Sequence, residues 1–335
     1  MNEKRATMVD IARHAGVSQA TVSLVLNAVA HARVSAKTRA KVQASAEALG
    51  YTRRTQGPHG AVVPVIAMLI DELSATPFAA PLIEGARDEA SAQGAVLTVI
   101  CTRADPEAEE AALDMLAQVQ LAGVLYTTLV TRTVAIGPRL AQLPLVLLNC
   151  HDQARRYPSV RPADVSGAFA ATTALIQAGH RRIAHLAAED WGEASRDRAK
   201  GYRQALATAD IAVDPTLIAM PVWTVDSGRE ATARLLDLPD PPTAFFCFND
   251  RAAIGCYEAI AQAGLRVPED ISVVGFDNED LVAHLAPPLT TVVLPHEEMG
   301  RWAVQMLTGA NPGGPRQMKM DCPVVLRDSV TAPPR

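Results

Sequence analysis

No apolar run in this chain approaches the roughly 18 residues that a membrane-spanning helix needs. The opening Met1-Asn2-Glu3-Lys4-Arg5 leads into a polar amphipathic segment instead of an apolar signal core, so the expectation is a cytoplasmic protein with no membrane partner. Cysteine is sparse: Cys101, Cys150, Cys247, Cys256 and Cys322 are odd in number, widely scattered and mostly set in apolar stretches. That argues against a disulfide frame or a metal knuckle, and the five read as buried inert thiols. Catalytic signatures are missing as well. There is no Gly-rich phosphate loop, no His-Glu-x-x-His and no Gly-x-Ser-x-Gly elbow, and the eight histidines are dispersed. With nothing to activate a nucleophile, the expectation is a protein that is not an enzyme, with no catalytic residues, metal or cofactor.

What is present is size and an uneven charge. The 335 residues, about half of them apolar, suffice for two or three compact units. The net charge of −5 hides a basic head: residues 1–54 hold nine Lys/Arg against three acids, a balance of +6 that leaves −11 for the remainder. A basic head on an acidic body suggests a polyanionic partner for the head alone.

Within that head, Thr7-Met8-Val9-Asp10 has the spacing of a capping box and predicts a helix from Met8 to Ala15. Gly16 permits a sharp turn, and Ser18 is placed to cap a second helix from Gln19 to Leu26. Its Val22, Val25 and Leu26 form the inward stripe, leaving Gln19, Ala20, Ser23 and Leu24 outward or flanking. A third helix fits from Ala36 to Leu49, with Val42, Ala46 and Leu49 at helical spacing. Two short helices joined by a Gly-containing turn make a helix-turn-helix, a generic three-helix bundle being the alternative.

Val9-Asp10-Ile11-Ala12, Ala15-Gly16-Val17-Ser18, Thr21-Val22-Ser23, Asn27, Val34-Ser35, Lys37-Thr38-Arg39 and Leu49-Gly50-Tyr51 resemble the headpiece of the LacI/GalR family of bacterial transcriptional regulators. The resemblance implies that the second helix enters the DNA major groove with Gln19, Ala20, Ser23 and Leu24 facing base edges. Thr7, Ser18, Thr21, Asn27 and nearby Lys/Arg would then hold phosphates. Position 24 is often Arg or His in relatives. Leu24 cannot donate to guanine but can touch a thymine methyl. The next segment also departs from the family, which places a Leu-bearing hinge helix here. Residues 51–61 contain no Leu, and Gly57, Pro58 and Gly60 oppose a helix. A flexible basic tether is expected, with Arg53 and Arg54 supplying charge to phosphates or the minor groove.

From Pro64 the pattern becomes short apolar runs alternating with helical stretches. Val65–Ile70, Val96–Ile100, Gly123–Tyr126 and Leu145–Leu148 read as strands buried on both faces, with helices at Pro81–Gln93, Pro106–Val119 and Thr133–Gln142 between them. The cycle repeats from Val165 with strands at Ile183–Ala187, Leu217–Met220, Ala244–Phe248 and Ser272–Phe276. Two parallel, doubly wound α/β lobes with a cleft between them follow, and such sheets bind ligands at the carboxyl ends of their strands. Gly179-His180-Arg181-Arg182-Ile183, Arg196-Asp197-Arg198, Phe248-Asn249-Asp250, Val267 to Asp277 and Pro287 to Val292 resemble the family's effector core, which is related to periplasmic sugar-binding proteins. The expected organisation is a DNA-binding domain over 1–52, a linker or atypical hinge over 53–63 and a core over 64–335. Lobe 1 would take about 64–161 and 291–321, and lobe 2 about 162–288 and 322–331.

By position at strand ends, Asp71, Arg103, Asn149, Asn249 and Asp277 are candidate effector ligands, with Asp250 either a ligand or a helix cap. Arg198 resembles the family's effector-clamping arginine and Trp223 its ring-stacking aromatic. Carboxylates, amides, a guanidinium fork and an aromatic face suit a sugar, although a nucleoside would use similar groups. The resemblance implies a homodimer that binds a pseudo-palindromic double-stranded DNA operator and is controlled by a small-molecule effector. A solute-binding module without a DNA role is the alternative. The tail from Pro323 carries no heptads, so a tetramer-forming coiled coil is not expected. Replacing Gln19 by Ala should weaken binding to the correct operator by about 1–3 kcal/mol and leave random duplex unaffected. Parallel gel-shift titrations measure both, and equal losses would show that Gln19 reads no base.

Overall fold

In a computed structural model of the chain, residues 8–26, 34–49, 63–73, 78–310 and 316–334 are described. They fall into two units, one ending at Val63 and the other beginning at Pro64. The first holds helices α1 (Met8–Ala15), α2 (Gln19–Leu26) and α3 (Ala36–Ala48). The bend between α1 and α2 is closed by Val17 N–H on the Ala12 carbonyl at 3.0 Å. Gly16 takes φ 60° there, a left-handed position that disfavours any residue with a Cβ. Ser18 Oγ accepts the Thr21 N–H at 3.1 Å and Ser35 Oγ that of Thr38 at 3.1 Å, so a hydroxyl caps the start of α2 and of α3. Ile11, Ala12, Ala15, Val22, Val25, Val42 and Ala46 form the buried core, with Leu26 and Leu49 packed at its edge. The proposed capping residue Thr7 lies outside the described residues.

The second unit runs β1 (Val65–Ile70), α4 (Ala79–Ala92), β2 (Val96–Cys101), α5 (Pro106–Leu116), β3 (Leu121–Val134), β4 (Leu145–Asp152), β5 (Ser159–Pro162), α6 (Asp164–Gln177), β6 (Ile183–Leu186) and α7 (Glu193–Thr208). It continues through β7 (Ile218–Ala219), α8 (Val225–Leu236), β8 (Ala244–Cys247), α9 (Asp250–Gln262), β9 (Ser272–Val274), β10 (Thr291–Val292), α10 (His296–Thr308), β11 (Gln317–Met320) and β12 (Val324–Val325). Six parallel strands in the order β11-β5-β4-β3-β1-β2 form the first lobe's sheet, and four in the order β7-β6-β8-β9 form the second's. In the second lobe, strand residues divide by the two-residue period. Ala184, Phe245, Cys247 and Val273 face α8 and α9, while Ile183, Phe246 and Val274 face α6 and α7. The chain crosses between lobes after β5, between β10 and α10, and between β11 and β12. Val292 of β10 packs beside Phe276 in the second lobe's core.

One expected helix is a strand. Residues 133–142 hold the end of β3 and a single 3-10 turn at Leu140–Gln142. The β-branched run Val130-Thr131-Arg132-Thr133-Val134 favours an extended backbone. After an irregularity between Thr127 and Arg132, pairing resumes with Cys150–Asp152 of β4. Gly137 and Pro138 then preclude a helix. A smaller difference lies at one helix end: α4 starts two residues before Pro81, which is tolerated in a first turn.

Helix pairs on the lobes approach closely through glycine. A Cβ built on Gly85 of α4 would stand 1.9 Å from the Glu297 carbonyl oxygen of α10, and one on Gly300 2.3 Å from that of Leu82. Gly85→Ala should therefore lower stability by about 2 kcal/mol or more, as overpacking does. Gly137→Ala, whose Cβ would meet its nearest neighbour at 3.8 Å, should change little. Urea unfolding of the two variants checks this.

Candidate functional site

In the headpiece, Gln19 and Ser18 are exposed at the start of α2, and Thr21 is half-buried with its hydroxyl 2.9 Å from that of Ser18. Ala20, Ser23 and Leu24 lie on α2, whereas Thr7, Asn27, Arg53 and Arg54 fall outside the described residues. α2 carries no acidic residue, and Lys37 and Lys41 are exposed on α3. This leaves an uncharged helix start flanked by cations, suited to bases and phosphates.

In the core, a cavity of about 430 Å³, counted out to its open mouth, lies between the lobes at the carboxyl ends of their strands. Asn149, Arg198, Trp223, Asn249 and Asp277 line it, joined by Phe78, Leu129, Val130, Thr131, Pro162, Ala194, Phe248, Leu294 and His296. Arg198 is its electrostatic centre. Only 4% exposed, the guanidinium gives Nε to Asp164 at 2.8 Å and Nη1 to the Phe248 carbonyl at 2.6 Å and to Asp277 at 3.3 Å. Its faces lie against Phe276 at 3.6 Å and Phe248 at 4.6 Å. Burial raises the carboxyls of Asp164 and Asp277 above their usual range although Arg198 pulls both down. Asp277 holds φ 117°, and its Oδ2 is buried without a hydrogen-bond partner among the described residues. Trp223 tilts against Phe248 with ring centroids 5.0 Å apart.

Other candidates serve the wall instead of the space. Asn149 spends both amide hydrogens on the Thr128 and Leu129 carbonyls, at 2.9 and 3.0 Å, while its Oδ1 takes the Thr131 hydroxyl at 2.7 Å. Asp71 lies outside the lining. Its Oδ1 accepts the Leu129 N–H at 2.8 Å and its Oδ2 pairs with Arg132 at 2.7 Å. Together they pin the irregular stretch of β3 that forms one side of the cavity. Arg103 also lies outside the lining, exposed in the turn after β2 with φ 54°. Asn249, not Asp250, is the helix cap: its Oδ1 accepts the Ala252 N–H at 2.8 Å and its Nδ2 holds the Trp223 carbonyl at 3.0 Å. Asp250 is wholly buried between the Thr291 hydroxyl at 2.6 Å and the Glu279 N–H at 2.8 Å.

Comparison with known proteins places both units. Residues 7–54 match the model for bacterial regulatory proteins of the lacI family, and residues 172–330 that for a periplasmic binding protein-like domain. The HTH-type transcriptional repressor CytR of Escherichia coli K12 is 33% identical over 342 residues, spanning 99% of this chain and 98% of that protein. The chain belongs to the LacI family. A complex of the transcriptional regulator CelR with cellobiose superposes with a TM-score of 0.68 at 31% identity, covering 97% of this chain and 100% of that one. The Lac repressor dimer bound to operator and the anti-inducer ONPF gives 0.71 at 29% identity, covering 98% and 100%. This chain is thus a DNA-binding transcriptional regulator, not a solute-binding module without a DNA role. The relatives are transcriptional regulators, not enzymes.

Several residues of this LacI-family core escaped the sequence reading. Asp164 anchors Arg198 but opens α6, away from any strand end that the sequence marks. His296, the first residue of α10, lines the cavity, and its imidazole makes no hydrogen bond among the described residues. Burial and the Arg198 charge push it down to about 3, so it meets a ligand as neutral imidazole. His185 is pushed down to about 4 by burial among Phe246 and Tyr202. Asp250 is pushed up to about 7, chiefly by burial and then by the Glu279 charge. A carboxyl raised by folding stabilises the fold while protonated, and that contribution is lost as pH rises through about 7. The two depressed histidines act oppositely, costing stability as pH falls below about 6.5. The melting temperature should therefore peak at weakly acidic pH. Asp250→Asn, whose amide oxygen can take the Glu279 N–H while its Nδ2 donates to a reoriented Thr291 hydroxyl, should flatten the decline above the peak. Thermal melts across pH test this, and an unchanged alkaline limb would refute the assignment.

Proposed function

We propose that this LacI-family chain is a cytoplasmic repressor that works as a homodimer on a pseudo-palindromic double-stranded operator. Gln19, Ala20, Ser23 and Leu24 read bases, while Thr7, Ser18, Thr21, Asn27, Arg53 and Arg54 hold the DNA backbone. The cavity between the lobes takes a neutral small-molecule effector of the carbohydrate class and performs no chemistry on it. The observation that carries this reading is Asp277. Its Oδ2 is a buried acceptor without a partner among the described residues, beside Arg198 and on a cavity flanked by the Trp223 and Phe248 rings. An unfilled acceptor calls for an O–H or N–H donor, and an aromatic face calls for a flat, weakly polar ring. A sugar ring supplies both, and the similar regulator CelR is seen in complex with cellobiose.

The wall supports the same reading. Asn149 and Asp71 brace the β3 segment instead of presenting free groups, so recognition falls to Asp277, Arg198, Asn249 and His296 around an otherwise apolar space. A ligand that touches both lobes favours one lobe arrangement over others, and in a two-fold dimer that changes the spacing of the headpieces.

A thermal-shift screen of sugars and nucleosides against the full chain tests the proposal. A sugar should raise the wild-type melting temperature by several degrees at saturation and alter operator affinity. With Asp277→Asn the ligand-induced shift should be largely lost while operator binding persists. Stabilisation by nucleosides alone would overturn the carbohydrate assignment, and equal shifts in wild type and Asp277→Asn would overturn the site.

A further inference from the structure

Lobes that flank a cleft are held at a given opening by the bonds that span it, and here one such bond draws on three elements at once. Glu193 opens α7 in the second lobe. Its Oε2 lies 2.8 Å from His151 Nε2 at the end of β4, and its Oε1 accepts from Arg161 Nη1 on β5, both strands of the first lobe's sheet. The three side chains are 18%, 13% and 7% exposed, so solvent screens them weakly. Burial alone would raise the Glu193 carboxyl, but His151 and Arg161 hold it below its usual range. A second span, Lys319 to Asp197 at 3.6 Å, joins β11 to α7 with half of the lysine exposed, a geometry worth little.

The clamp is also continuous with the cavity wall. Glu193 precedes Ala194, Arg161 precedes Pro162, and His151 follows Asn149 by two residues, and each of those neighbours lines the cavity. The same three elements thus grip any ligand and tie the lobes. We propose that Glu193 is the positioning residue that sets how far the cleft stands open. Through Arg161 and His151 it draws the lobes together with no effector bound. An effector then adds to a closure that the chain already populates, which rests on reading the cavity as the effector site.

His151 is held from both sides of its ring. Its Nε2 faces Glu193, with the Thr133 hydroxyl of β3 at 3.4 Å, and its Nδ1 faces the Asp152 carbonyl at 3.3 Å. The charged groups around it are Glu193 from α7, Arg161 from β5, and Asp152 on its own strand, whose carboxylate is taken by Arg156.

Energy transfer between dyes on the two lobes tests the proposal in the full chain. Labels at Glu107→Cys on α5 and Arg234→Cys on α8 report the lobe separation in a Cys101→Ser background. Labelled chains are diluted into excess unlabelled chain so that signals within one protomer dominate. No DNA or ligand is present, so failure here leaves the effector assignment standing, and failure of the ligand screen leaves this result standing. Glu193→Gln should lower the ratio of close to separated lobes by roughly fivefold. His151→Ala, which removes one of the two side chains that hold Glu193, should lower the ratio as well. An unchanged ratio in a Glu193→Gln protein of wild-type melting temperature overturns the proposal. Should that variant not fold, His151→Ala decides alone, and a ratio equal to that of wild type overturns it.

Discussion

A single buried guanidinium organises the core of this protein. Arg198 is almost wholly buried and would be intolerably desolvated alone, so the fold surrounds it with Asp164, Asp277, the Phe248 carbonyl and two aromatic faces. Those partners come from the start of α6, the ends of β8 and β9, and the loops beyond them. Fixing one charge therefore fixes the floor of the cavity. The arrangement also explains why Asp277 tolerates a φ of 117°, since the backbone strain is held by an ion pair that no other conformation could make. Truncating Arg198 would leave two carboxylates unpaired in the interior, so it is a structural residue as much as a ligand-facing one.

The opposite wall depends on polar side chains used as mortar. β3 is the longest strand, and its pairing with β4 is interrupted between Thr127 and Arg132. An interrupted ladder leaves backbone groups to be satisfied, and burying them unsatisfied would be costly. Asp71 takes the Leu129 N–H, and Asn149 takes the Thr128 and Leu129 carbonyls. Residues whose chemistry suits a sugar hydroxyl are here committed to the protein's own backbone. What they contribute to recognition is the position of Leu129, Val130 and Thr131.

This distinction marks where the sequence is legible and where it is not. Apolar runs such as Val65–Ile70 and Leu145–Leu148 announce strands buried on both faces, because nothing but helix-covered parallel strands would be apolar throughout. The cap at Ser18 and the glycine at position 16 announce the turn before α2 through local hydrogen bonding and sterics. Asn149, Arg198, Trp223, Asn249 and Asp277 reach the cavity because strand order determines which carboxyl ends converge. Asp71 and Arg103 share that position along their strands, yet neither side chain lines the cavity, and strand position alone does not encode direction. Asp164 and His296 went unread for the converse reason: they sit at crossings between lobes, which no periodicity marks. The misread helix at Thr133–Gln142 arose because a strand that outruns its neighbours has a mixed, partly exposed pattern.

Charge balance ties these pieces to regulation. Around Arg198 stand Asp164, Asp277 and, one step behind, Asp250, three carboxyls for one guanidinium. Burial raises all three carboxyls while Arg198 pulls them down, so the site carries less negative charge than its acidic composition suggests. Such a site rewards neutral donors and repels anions. At the cleft's edge the balance reverses, with Arg161 and His151 converging on Glu193 alone. A neutral interior beside an ionic rim separates two tasks that a uniform cleft would confuse. Recognition is set by donors and ring faces inside, while the opening of the lobes is set by charge outside, so each can be tuned without rebuilding the other.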